Sequence, residues 1–130
     1  HRYSDTSASG KEYIPFAGTV NEQNSPSSQT QGIAPYNGRL VTAYVRSSRS
    51  GGLGSTVVGL HIGFDGDQVI STTAEETVTV NMNQQNTTYA FNFTAANHFA
   101  ATDIIGLSID PTNIHGNVNV TCVWEYEITV

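Results

Sequence analysis

NVNVTCVWEYEITV, residues 117–130, decides the fold. Val118, Val120, Cys122, Trp124, Tyr126, Ile128 and Val130 fall on one side of an alternating pattern. Asn117, Asn119, Thr121, Glu125, Glu127 and Thr129 fall on the other, with Val123 as the one exception. A period of two sustained this long predicts a β-strand with one face in a core and one in water. At roughly 3.3 Å per residue it reaches about 45 Å, far beyond the common length of 5–6 residues. Such a strand runs the full height of its domain. The expected core is therefore Val118, Val120, Cys122, Trp124, Tyr126 and Ile128.

Working outward, other stretches repeat the signal. Ile105, Leu107 and Ile109 alternate before Pro111, and Tyr89, Phe91 and Phe93 form an aromatic stripe. Val78, Val80 and Met82 alternate likewise, and Val69-Ile70 predicts a brief strand. Thr56 to Phe64 places Val58, Leu60, Ile62 and Phe64 on one face and Val57, Gly59, His61 and Gly63 on the other. That small second face predicts close approach of another backbone. Arg39 to Arg46 carries apolar groups on both faces, which predicts cover on both sides. Glu12 to Val20 contains Pro15, so it predicts an edge strand or one that starts late. Residues 1–11 are polar and read as a linker or approach segment, and 12–130 as a single domain. Ala95 to Thr102 has a helical flavour but is too short to predict a helix.

About eight strands separated by turn clusters, with no amphipathic helix, predict an all-β antiparallel sandwich. A jelly roll is preferred, because the single cysteine cannot supply an immunoglobulin framework.

Composition narrows the function. The 130 residues carry a net charge of −6 with only five Lys and Arg, which argues against a surface that tracks phosphates. No nucleic-acid partner and no membrane insertion are expected, the latter because no apolar run approaches the roughly 18 residues a span needs. Cys122 beside Trp124 reads as a buried thiol. His1, His61, His98 and His115 lack the spacing of a metal pair. His61 reads as a polar-face residue or as one near a symmetry axis. Asp65-Gly66-Asp67, with Asp103 or Asp110, offers oxygen ligands for calcium, but an Asp-Gly turn also serves a hairpin. Arg49 to Gly54 is glycine-rich without the lysine of a phosphate loop, and no Gly-x-Ser-x-Gly elbow occurs. No catalytic residue, metal or cofactor is expected.

Pro35-Tyr36-Asn37-Gly38-Arg39-Leu40-Val41, Val45-Arg46-Ser47 and Gly54-Ser55-Thr56-Val57-Val58-Gly59-Leu60-His61 carry a family resemblance, together with Asp110-Pro111-Thr112 and Trp124-Glu125-Tyr126. The chain from Tyr13 onward resembles the C-terminal domains of marine bacteriophage virion structural proteins, the trimeric heads that finish tail fibres and spikes. The resemblance implies a viral protein on the phage particle surface, with other virion proteins as partners. It also implies attachment to a host-surface glycan or protein. It brings no catalytic residues, and receptor contacts in such heads sit on variable loops.

Surplus apolar surface on Arg39–Arg46 and Thr56–Phe64 predicts a subunit contact, and a fibre end favours a threefold axis. The expected homotrimer places Tyr44, Val57 and His61 at the subunit boundary, with Val130 tucked into an interface. The alternatives are a capsid decoration or capsid-fibre domain, a cleaved C-terminal trimerisation chaperone, which His1 as first residue fits, and a carbohydrate-binding module.

Overall fold

The computed structural model describes residues 1–5, 10–16, 22–94 and 96–128. Nine strands are present among them: β1 (Arg2–Asp5), β2 (Glu12–Tyr13), β3 (Gly32–Ile33), β4 (Asn37–Ser47), β5 (Gly54–Gly63), β6 (Glu76–Met82), β7 (Thr88–Asn92), β8 (Ile104–Pro111) and β9 (Gly116–Glu127). The first sheet runs β1-β9-β4-β7, and the second runs β2-β8-β5-β6 with β3 also on β8. All named pairings are antiparallel. Apart from the β2–β3 and β5–β6 connections, each link between successive strands crosses from one sheet to the other. This is the expected all-β sandwich of jelly-roll type.

The core forms where the inward positions of the sheets meet. Leu40, Ala43, Val45, Phe91, Val118 and Val120 face Val58, Leu60, Ile105, Leu107 and Ile109, all buried. Each fully buried Leu or Ile contributes on the order of 2–3 kcal/mol relative to exposure.

β9 keeps its alternation along the whole strand, but its burial fades toward the C-terminal end. Val118 and Val120 are buried, Cys122, Trp124 and Tyr126 are half-buried, and Ile128 is 64% exposed beyond the strand's end. Cover over the distal half comes from Phe99, whose ring packs edge-on against Trp124 and Tyr126. Ile128 is therefore not a core residue. Val130 lies outside the described residues.

Three further expectations change. Within the expected approach segment 1–11, Arg2–Asp5 is part of the sandwich: it pairs with Asn119–Gly116, and Tyr3 is buried in the core. Tyr3 earns that position by donating its hydroxyl to His115 Nδ1 at 2.6 Å, while His115 Nε2–H donates to the Gly10 carbonyl. Val69-Ile70 forms no strand, yet Ile70 is buried on the outer side of the second sheet. Phe64 lies one residue past the end of β5 and is 71% exposed rather than in the core.

β4 owes its two-faced sequence to a bulge. Its register with β9 shifts between Leu40 and Thr42, so Leu40 points inward before the shift and Ala43 and Val45 point inward after it. An extra residue in one strand reverses the parity of everything beyond it. Tyr44 and Arg46 consequently face outward into solvent.

Candidate functional site

The outer faces of the two sheets differ. On the second sheet, glycines make room for the chain's own segments. A Cβ at Gly106 would stand 2.4 Å from the Thr30 carbonyl oxygen, and one at Gly63 would stand 3.0 Å from that of Val69. Main chain thus lies directly on the strands, as the run of small residues predicts. Tyr13 packs edge-on against the His61 ring, and Lys11 lies over Tyr13 while donating to the Thr72 carbonyl.

His61 is sealed beneath this cover, with no exposed surface. Its Nδ1 lies 2.8 Å from the Ser71 carbonyl, which can only accept, so Nδ1 carries the proton. Nε2 then accepts from the Ser108 hydroxyl at 2.7 Å. Burial lowers its pKa to about 4, against the Ser71 hydrogen bond, which raises it, and with nearby Lys11 adding to the fall. A serine donating to a histidine is the first contact of a nucleophile–base pair. Here the orienting third group is a backbone carbonyl, and both side chains are buried. The pair ties β5 to β8.

The first sheet is bare by contrast. Tyr44 is 43% exposed between Ala90 and Thr121, and Val123 is 42% exposed beside Thr42. Asn92, Asn119, Ala90 and Thr121 around them are exposed as well. Charge sits toward the ends of this face: Arg2 and Arg46 at one end, the Arg39–Glu125 pair at 3.3 Å near the other.

The residues expected at a subunit boundary therefore do not come together. Tyr44 lies on the outer face of the first sheet, and half-buried Val57 on the outer face of the second. His61 has no surface to give to a neighbour, because a covering segment of its own chain occupies that place.

One end of the sandwich gathers the other exposed large apolar groups among the described residues. Ile33, Tyr36, Phe64 and Ile128 stand there, where β4 and β8 begin and β5 and β9 end. Phe64 lines two clefts. One, of about 410 Å³, is shared with Asn37, His98, Phe99, Asp103 and Glu127. The other, of about 300 Å³, is shared with Ile33, Asp65, Asp67, Thr102 and Ile104. The turn that carries Phe64 is closed by its own bonds. The Phe64 amide donates to Asp67 Oδ2 at 2.8 Å, and the Asp67 amide donates to the Phe64 carbonyl at 2.9 Å. The facing loop is tethered too: the Ala101 amide donates to Asn37 Oδ1 and the Ala100 amide to Asp103 Oδ2.

Of the Asp residues weighed for calcium, Asp67 and Asp103 each close a turn with one carboxylate oxygen. Among the described residues no three His, Cys, Asp or Glu side chains gather as a metal site. The glycine-rich stretch is a tight turn in which the Gly52 amide donates to the Arg49 carbonyl. Gly52 has φ 78° with the Met82 carbonyl 2.3 Å from where a Cβ would be, so no other residue fits.

Phe64 went unseen as a surface residue because its alternation matches that of Leu60 and Ile62. The signal that marks it is the Asp65-Gly66-Asp67 turn directly after it. Ser108 and Asn97, which hold buried backbone and ring groups, carry no sequence signal of their own. No protein-family model, curated protein or solved structure matches the chain.

Proposed function

We propose that the chain is a non-enzymatic structural domain of a bacteriophage virion that assembles as a homotrimer and takes part in attachment to the host surface. The contrast between the two outer faces carries this reading. The second sheet is covered by the chain's own segments over β8 and the Gly59–Gly63 half of β5, whereas the first leaves Tyr44 and Val123 exposed among small neutral side chains. A neutral centre with charge confined to the ends loses little when dried against another copy of the same chain. Cyclic closure then limits the assembly to a fixed number of copies. The sparse charge of the whole chain, 12% of residues, suits a particle component packed among its own copies. The tail-fibre and spike resemblance, carried by strand and turn residues, supplies the virion setting.

Light scattering tests the assembly. The wild-type chain is expected at three times its 13.9 kDa mass. Tyr44→Asp, which forces a charge into the dried contact, is expected at one. A wild-type monomer at high micromolar concentration would refute the trimer. Labelling of intact particles with an antibody to this domain tests the virion setting separately.

A further inference from the structure

We propose that the Phe64 end of the sandwich is a binding site for neutral sugar residues. The proposal rests on the host-attachment reading and names the site and the ligand class that reading lacks.

Phe64 is a large apolar ring left 71% exposed on a turn that two hydrogen bonds close. Exposed apolar groups scattered singly need no explanation, but this one stands with Ile33, Tyr36 and Ile128 at one end of the fold. The faces of a pyranose ring bear C–H groups that stack on an aromatic ring, while its edge bears hydroxyls that both donate and accept. The larger cleft beside Phe64 supplies the matching polar groups. Asn37 uses its amide oxygen on Ala101 and leaves its NH₂ unengaged among the described residues. Asp103 uses one carboxylate oxygen on Ala100 and leaves the other unengaged among the described residues. Glu127 and His98 are exposed on the same cleft. An acceptor and a donor beside an apolar ring are the elements that fix a sugar's orientation.

The volumes fit: clefts of about 410 and 300 Å³ lie at the lower end of the range of small-ligand sites, roughly 300–1,000 Å³. Because Phe64 lines both, a chain of two or more sugar units can cross the ring and enter each cleft. Charge selects among sugars. Asp65, Asp67, Asp103 and Glu127 line the two clefts and neither Lys nor Arg does, so uronates and sialylated chains are repelled. The loops on both sides are already tethered, which limits the ordering cost of binding a weakly held ligand.

The test uses immobilised neutral hexose oligosaccharides beside sialylated and uronate-containing ones, with attachment to intact host cells as a second readout. Wild type is expected to bind a subset of the neutral set and none of the acidic set. Phe64→Ala is expected to lower that affinity at least tenfold with an unchanged melting temperature, and Phe64→Trp to retain it. Glu127→Gln is expected to weaken binding without affecting the fold. Preference for acidic glycans, or neutral-glycan binding indifferent to Phe64→Ala, overturns the site. Cell attachment that survives Phe64→Ala also overturns the site but leaves the attachment reading standing. Attachment that needs Phe64 yet resists periodate oxidation of the cell-surface sugars overturns the ligand class in favour of a protein receptor. A chain that binds no glycan and no cell overturns both the site and the attachment reading.

Discussion

Ser108 on β8 donates its hydroxyl to Nε2 of His61 on β5 across 2.7 Å, joining two strands of the second sheet beneath Tyr13. The neighbouring Ser71 carbonyl requires the proton on Nδ1, so the bond from Ser108 holds only while His61 is neutral. Removing the hydroxyl in Ser108→Ala leaves a buried ring nitrogen unpaired. The expected loss is roughly 1–3 kcal/mol, read by urea unfolding at pH 7.

His61 also makes stability depend on pH. Its folded pKa of about 4 lies below the ordinary histidine value of 6.5, so between those values the unfolded chain binds more protons. Its contribution is complete above about pH 6.5 and is lost progressively as pH falls toward 4, by at most about 3 kcal/mol. Glu76 acts in a lower window. Partial burial pulls its carboxyl upward, but hydrogen bonds from Thr94, Asn97 and Ala96 outweigh that and hold it below 4.5. Its contribution is present above pH 4.5 and is lost below. Unfolding of wild type and His61→Gln between pH 7 and pH 4 separates the two. Parallel curves for the two proteins would contradict the assignment to His61.

Asn97 replaces a missing strand partner. Its side chain accepts from the Leu40 amide at 2.7 Å and donates to the Leu40 carbonyl at 3.0 Å, just before the bulge in β4. Glu76 Oε1 accepts from the same amide group at 2.7 Å and steadies it. Asn97→Ala orphans two buried backbone groups and is expected to cost roughly 2–4 kcal/mol. Hydrogen exchange at the Leu40 amide should accelerate in the variant; unchanged protection there would rule the account out.

Burial along β9 and β7 orders the large-to-small substitutions. Phe91 is fully buried between the sheets, and Phe91→Ala is expected to cost about 3–5 kcal/mol. Trp124 is half-buried against Phe99, so Trp124→Ala is expected to cost less, about 2–3 kcal/mol. Glu125→Ala removes an ion pair whose carboxylate is 64% exposed, and should change stability by less than about 1 kcal/mol. Chemical denaturation of the three variants gives the order directly, and a Trp124 variant weaker than the Phe91 one would reverse it.

Cys122 should resist alkylation in the folded chain. Burial raises its thiol pKa to about 12, although the nearby chain N-terminus lowers it slightly. The thiolate is the reacting species, so at pH 8 it forms only a trace. Iodoacetamide is expected to label Cys122 only after denaturant is added. Rapid labelling of the native protein, followed by mass spectrometry, would show that the core side of β9 is open.

Alternation alone determined that this chain forms a two-layer all-β domain, because a strand's side chains must alternate between core and water. It placed Val118, Val120, Cys122, Trp124, Tyr126 and Ile128 on the core side; the structure buries the first two, half-buries the next three and leaves Ile128 exposed. Alternation says nothing of where a strand stops or shifts. The bulge at Val41 turned one apolar face into an apparent pair, and the end of β5 at Gly63 sent Phe64 outward. Nor does it say what covers a face. His61 reads as a surface residue along β5, and only the fold of residues 11–13 and 71–74 over its sheet encloses it. The same pairing of distant segments leaves Tyr44 uncovered and brings Phe64 beside Asn37 and Glu127. Local periodicity is a property of neighbours in the chain, whereas cover, clefts and bare faces depend on contacts between segments far apart in it, and those exist only in the folded molecule.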